Sequence, residues 1–185
     1  MAKKFKNIYL HIGPMKTGSS YIQSALDKIE SLGAFKDTAY PQPTNVAPSP
    51  IDDPFFIRSG NGLEIATTLV WGRGGRSPSP PFFPVFDRDE MCKRLNDLLD
   101  GISEDKSNLL ISSEWLSAVV PERFVHLKHE LEKLTDNIVV LAIVRPLGPW
   151  SFSCYNQQVK RHGSSISFEE WANRELVPTV RLAIK

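Results

Sequence analysis

The sequence predicts an α/β fold, a parallel sheet flanked by helices that carries a phosphate-loop-like strand–loop–helix near its amino end. Three observations predict it. Residues 8–26 read as a buried strand, a tight glycine turn and an amphipathic helix. Residues 138–145, Ile-Val-Val-Leu-Ala-Ile-Val-Arg, form a continuous apolar, largely β-branched run typical of a central parallel strand. Strand and helix patterns alternate along the chain, which favours parallel strands joined by right-handed crossovers. At 185 residues a single domain, 1–185, is expected.

The first strand rests on Ile8, Leu10 and Ile12, with Tyr9 and His11 between them and Gly13-Pro14 as its stop. His11 is expected to pack within the strand. The turn runs Gly13-Pro14-Met15-Lys16-Thr17-Gly18-Ser19-Ser20. A strand, a glycine turn and a helix aim backbone N–H groups and the positive end of a helix dipole at one point, which suits phosphate or sulfate. Lys16 adds a fixed positive charge inside the turn, and the Ser19 and Ser20 hydroxyls open the helix. Tyr21, Ile22, Ala25, Leu26 and Ile29 make the helix's apolar stripe, and Gly33 is its expected stop. The nucleotide-triphosphate loop differs, because its lysine directly follows the second glycine. Here Lys16 precedes Gly18, and Ser19 follows it.

Residues 34–60 carry Pro41, Pro43, Pro48, Pro50 and Pro54 and read as a long irregular excursion. Residues 61–71 read as a short helix with Leu63, Ala66, Leu69 and Val70 on one side and Ile65 off it. Residues 72–86 read as a loop with an aromatic cluster, and their composition also fits a proline-rich partner ligand. Long insertions after the first helix of an α/β domain often cover the active site. Residues 36–86 are therefore assigned to acceptor binding.

Residues 87–101 make an amphipathic helix with Met91, Leu95, Leu98 and Leu99 on one face. A strand from Leu109 to Ser112 then runs into a short helical turn at Glu114. A carboxylate there can take a proton from an attacking hydroxyl, or simply sit where a helix dipole welcomes it. Residues 121–134 make a further helix, with Pro121 in its first turn and Phe124, Val125, Leu127, Leu131 and Leu134 on its apolar side. His126 and His129 lie three residues apart on it, but no carboxylate or cysteine completes a metal set, so a solvated face is expected. Arg145 leaves the carboxyl end of the 138–145 strand, a helix follows Pro149, and Ser153 lies eight residues after Arg145. The planar guanidinium binds phosphate oxygens in pairs. Ser167-Phe-Glu-Glu170 is a capping box that opens a last helix through Trp171.

Gly13-x-x-Lys16-Thr17-Gly18-Ser19-Ser20 resembles the 5′-phosphosulfate loop of sulfotransferases that use 3′-phosphoadenosine 5′-phosphosulfate (PAPS). Met15 departs from the family's loop, and two serines stand where threonines are usual, with both hydroxyls kept. Arg145 and Ser153, continued by Tyr155-Asn156-Gln157, resemble the family's 3′-phosphate motif, and Glu114 stands by order where the family delivers its catalytic base. The resemblance covers about residues 6–172. It implies PAPS as cofactor, no metal, and transfer of a sulfuryl group to a hydroxyl or amine of a small-molecule or carbohydrate acceptor. Gly13, Pro14, Lys16, Thr17, Gly18, Ser19 and Ser20 would surround the 5′-phosphosulfate. Lys16 would stabilise the leaving oxygen, Arg145 and Ser153 would hold the 3′-phosphate, and Glu114 would deprotonate the acceptor.

Members of this family are usually longer and add a carboxyl-terminal loop over the adenine and 3′-phosphate. No counterpart is recognisable before Lys185, so the resemblance implies a domain short at its C-terminus, either a truncated piece of a longer chain or a short form completed by a homo-oligomer or a partner chain. A catalytically impaired nucleotide-binding module and a small-molecule kinase are the other readings; the kinase would need Mg²⁺ and a carboxylate beside the loop. A formal charge of +1 gives no support to nucleic-acid binding. Cys92 and Cys154 lie far apart, without metal spacing, and read as free or buried thiols. No apolar run reaches membrane-spanning length, and the Met-Ala-Lys-Lys start leads almost directly into the first strand, so a soluble cytoplasmic protein is expected.

Overall fold

The computed structural model describes residues 3–14, 16–42, 60–71 and 86–176. The chain forms two compact units, Met1–Ile143 and Val144–Lys185. The first holds an all-parallel sheet of four strands among the described residues: β1 (Asn7–Ile12), β2 (Thr38–Ala39), β3 (Asn108–Ser112) and β4 (Ile138–Ala142), in the order β2-β3-β1-β4. The α/β expectation is met. The helices of this unit are α1 (Ser19–Ser31), α2 (Leu63–Trp71), α3 (Arg88–Leu99) and α4 (Pro121–Glu132), and a 3₁₀ turn spans Glu114–Ala118.

Strand alternation sorts the side chains of the sheet onto two faces. Ile8 and Leu10 of β1 and Leu109 and Ile111 of β3 join one core with Ile65, Ala66 and Leu69 of α2, Met91, Leu95 and Leu98 of α3, and Leu127 and Leu131 of α4. The other face begins with a row of amides. Asn137 Nδ2 donates to Asn7 Oδ1 at 2.6 Å, Asn7 Nδ2 to Asn108 Oδ1 at 2.7 Å, and Asn108 Nδ2 to Asp37 Oδ2 at 3.0 Å. The row crosses the amino-terminal ends of the strands. It holds the register that pairs Asn7 with Asn108.

Several sequence expectations change. The 138–145 run is an edge strand rather than a central one. It ends at Ala142, pairs only with β1 among the described strands, and leaves Val140 50% and Leu141 43% exposed. An apolar run reports affinity for a core and carries no record of lateral neighbours. The buried strand is β3, which stands between β1 and β2 in the sheet order and has all five residues buried. Residues 34–60 are not irregular throughout, because Thr38 and Ala39 form β2 on the edge of β3. Residues 43–59 and 72–85 of the acceptor-binding assignment lie outside the described residues.

Helix α1 begins and ends as expected, with Gly18 at its N-cap and Gly33 at φ 62° just beyond its C-cap. Its apolar stripe is not its buried side. Tyr21 is 82% exposed, whereas Ser19 and Gln23 are buried. Ile65, expected off the apolar side of α2, is fully buried because this helix packs on both α3 and the 3₁₀ turn. Arg123 of α4 donates to Leu69 O and Val70 O at 2.8 and 2.9 Å and so satisfies the last turn of α2. Asp87 caps α3 by accepting from Glu90 N at 3.1 Å.

The second unit contains α5 (Leu147–His162), α6 (Phe168–Trp171) and a single wide turn at Ala172–Leu176. Helix α5 starts two residues before Pro149, since Pro146 serves as its N-cap and Pro149 falls in the first turn, where a missing N–H costs nothing. The capping box appears as Ser167 Oγ accepting from Glu170 N at 3.2 Å. Tyr155 packs edge-on against Phe168 with ring centres 5.4 Å apart, and its hydroxyl donates to Ile166 O at 2.8 Å. Among the described residues no helix is long and apolar enough to cross a membrane.

Candidate functional site

Parallel pairing of β1 with β3 and β4 brings their carboxyl ends to one edge of the sheet. Such edges are where open α/β sheets bind ligands. The Gly13–Ser20 turn leaves β1 at this edge, and Glu114 leaves β3 there.

Two described residues of the turn adopt left-handed backbone. Lys16 has φ 70° and Gly18 φ 96°. For a lysine this conformation costs about 1–3 kcal/mol, a strain that persists only where the surroundings impose it. Gly13 admits no side chain, because a Cβ would lie 2.8 Å from Ile143 O, whereas a Cβ on Gly18 would meet nothing within 4 Å. Thr17 Oγ1 donates to Pro14 O at 2.8 Å and lies 3.3 Å from Ser19 Oγ. Thr17 therefore uses its proton to close the turn. Among the described residues no side chain caps α1, and its first turn carries no carboxylate. Ser19 is buried and Ser20 half-buried. The N–H groups of Ser19 and Ser20, ahead of Tyr21 and Ile22 whose N–H groups donate to Gly18 O, join an adjacent lysine and the serine hydroxyls in a donor set suited to an anion such as a phosphate or phosphosulfate.

Glu114 opens the 3₁₀ turn behind Ser113, whose Oγ accepts from Trp115 N at 3.3 Å. Two contacts tie this turn to β1 and the loop. Ser113 N donates to His11 O at 3.1 Å. Ser117 Oγ lies 3.0 Å from Gly13 O and 2.7 Å from Glu114 O, so its single proton is shared between them. Burial pushes the Glu114 carboxyl above its ordinary range, and the charge of Lys16 pulls in the opposite direction without cancelling the shift. The structure thus brings Lys16 and Glu114 within each other's electrostatic reach.

Beneath the loop, His11 and Ser112 face each other across β1 and β3, with His11 Nδ1 2.7 Å from Ser112 Oγ. His11 is 3% exposed, its Nε2 has no hydrogen-bond partner among the described residues, and burial lowers its pKa. The expected packing of His11 within the strand is observed.

Sequence reasoning missed the group that holds the end of β3. Asn61, 2% exposed, donates through Nδ2 to Leu110 O at 2.9 Å and accepts through Oδ1 from Ser112 N at 2.8 Å. Gly62 N donates to Ser112 O at 3.0 Å. The signal in the chain is Gly60-Asn61-Gly62 directly before a helix, a combination usually read as punctuation alone.

Arg145 and Ser153 belong to the second unit. Arg145 is exposed just before the N-cap of α5, and Ser153 is half-buried within that helix. His126 stacks on Phe86 with ring centres 5.0 Å apart, and no cluster of His, Cys, Asp or Glu suited to a metal occurs among the described residues. Cys92 is a free thiol, and burial raises its pKa. No family model matches the chain, and neither the curated proteins nor the solved structures contain a match to it.

Proposed function

We propose that this chain is a PAPS-dependent sulfotransferase that moves a sulfuryl group to a hydroxyl or amine of a small-molecule or carbohydrate acceptor. One observation carries the reading. A strained, lysine-bearing turn opens an uncapped helix at the carboxyl edge of a parallel sheet, and the charge of its lysine acts on a half-buried glutamate from the neighbouring strand.

The chemistry follows from these groups. The N–H groups and hydroxyls of Ser19 and Ser20 bind the 5′-phosphosulfate, while Gly13, Pro14, Thr17 and Gly18 shape the turn. By the resemblance, the 3′-phosphate falls to Arg145 and Ser153. Glu114 accepts the proton of the acceptor as its oxygen or nitrogen attacks sulfur. The bond from sulfur to the bridging phosphate oxygen breaks, and adenosine 3′,5′-bisphosphate leaves. Lys16 stabilises the negative charge that grows on the bridging oxygen, so its contribution falls on the transition state. The raised pKa of Glu114 brings its basicity closer to working pH.

The test is transfer from sulfur-35-labelled PAPS to a panel of phenol, alcohol, amine and carbohydrate acceptors. Acceptor-dependent release of adenosine 3′,5′-bisphosphate with label on the acceptor supports the reading. Donor binding without transfer across the panel favours the non-catalytic binding module, and phosphoryl transfer from MgATP favours the kinase.

A further inference from the structure

We propose that Asn61 is a positioning residue for Glu114: its carboxamide, set between Gly60 and Gly62, stands in for a missing strand and fixes the end of β3 from which the glutamate departs. The clause that makes Glu114 a base rests on the sulfotransferase reading; the positioning itself does not.

Strand β2 pairs with β3 only at Asn108 and Leu109. Beyond that point the buried backbone of β3 needs other partners on its outer side. Asn61 supplies them. A carboxamide presents a donor and an acceptor in one plane, as a peptide unit does, and Asn61 directs the donor to Leu110 O and the acceptor to Ser112 N. Gly62 N adds the next rung to Ser112 O. Aspartate has no donor for this place, and alanine leaves both backbone groups buried and unpaired.

The flanking glycines make the approach close enough. A Cβ on Gly60 would lie 2.0 Å from Ser112 O and 2.7 Å from Gln23 Nε2, and one on Gly62 would lie 2.7 Å from Ile111 Cγ2. The strand end is thus gripped from the outside by residues 60–62 and from the inside by Ser113 N to His11 O. Glu114 follows immediately, on a turn that Ser113 caps. Its partial burial, which sets its basicity, depends on where this strand end is held.

The test reads the Glu114 carboxyl by ¹³C NMR titration in the whole chain, in Asn61→Ala and in the milder Asn61→Ser. A destabilised control is Thr135→Val, which removes the buried contacts of Thr135 Oγ1 with Lys6 O and Asn137 N, both 3.1 Å, at the opposite end of the sheet. The expected result is a Glu114 midpoint that falls toward the ordinary glutamate value in the Asn61 variants and stays put in Thr135→Val. In the unmutated chain the Asn61 side-chain amide resonances should shift with the Glu114 midpoint, a readout that requires no variant. A Glu114 midpoint unchanged in a folded Asn61 variant, an equal shift in Thr135→Val, or flat Asn61 resonances across the Glu114 titration would each overturn the proposal. In the transfer assay, Asn61→Ser should lower kcat by up to about 10²-fold with donor affinity kept. A shifted titration with an unshifted pH–rate profile would reject Glu114 as the base while leaving its positioning by Asn61 intact.

Discussion

Ser117 Oγ lies 3.0 Å from Gly13 O, and this contact joins the turn that carries Glu114 to the first residue of the turn that carries Lys16. The two chemical groups arrive on different strands, so their spacing depends on such ties as much as on the sheet. Ser117→Ala should cost about 0.5–1.5 kcal/mol of stability in thermal or denaturant unfolding, since an exposed hydroxyl is replaced and no charge is left buried. A larger loss would mean that the tie supports the fold and not only the site.

Lys16 combines a strained backbone with a charge, and two substitutions separate them. Lys16→Gly accepts φ 70° without strain, whereas Lys16→Ala does not. The glycine variant should be the more stable of the two by about 1 kcal/mol. Both should lose turnover equally, by about 10²–10³-fold, with donor affinity much less affected. Unequal turnover would assign the effect to backbone shape, and near-normal turnover with lost affinity would reject the catalytic role.

Glu114→Gln keeps the size of the side chain but cannot accept a proton at neutral pH. Transfer should fall about 10²–10⁴-fold with the fold intact. The pKa of Glu114 is raised by burial, so the folded state binds a proton more tightly than the unfolded chain does. Stability therefore declines as pH rises from the unfolded pKa to the folded one, and the full cost is present above the folded value. Glu114→Gln should leave stability at low pH nearly unchanged and raise it at neutral pH. A glutamate serving only the helix dipole behaves oppositely, since its neutralisation costs a few tenths to about 1 kcal/mol at neutral pH. Unfolding curves at both pH values decide between them. In the pH–rate profile the acidic limb should lie above the ordinary glutamate range.

The amide row predicts coupling across the sheet. Asn108→Ala leaves Asn7 Nδ2 and Asp37 Oδ2 without their partner and should cost about 1–3 kcal/mol. Asn7→Ala should cost a similar amount, and the double variant should cost less than the sum by about 0.5–3 kcal/mol, because both remove the same bond. Strict additivity in denaturant unfolding would contradict a shared network.

Much of this architecture was legible in the chain. Glycine and proline punctuation gave the ends of β1 and α1, Ser167 and Glu170 gave the start of α6, and periodicity gave α3. What failed were statements about lateral neighbours. The 138–145 run reads the same whether one strand or two flank it, and Tyr21 and Ile29 share a stripe that the structure leaves exposed. The residues that α1 buries are Ser19 and Gln23, polar positions that hydrophobic periodicity does not score. At the site, Lys16 and Glu114 were readable as residues. Asn61 was not, because its role comes from a strand pairing that stops at Leu109, and only three-dimensional structure reveals where a strand runs out of partners.

The central claim is that the Lys16 turn receives a nucleotide distinguished by its 3′-phosphate. Isothermal calorimetry of the unmutated chain and Arg145→Ala with adenosine 3′,5′-bisphosphate, AMP and ATP tests it most directly. A charge-assisted phosphate contact is worth roughly 1.5–3 kcal/mol, so the unmutated chain should prefer the bisphosphate to AMP by about tenfold or more, and Arg145→Ala should abolish that preference. Equal binding of the bisphosphate and AMP by the unmutated chain, or tighter binding of ATP than of the bisphosphate, would contradict the account.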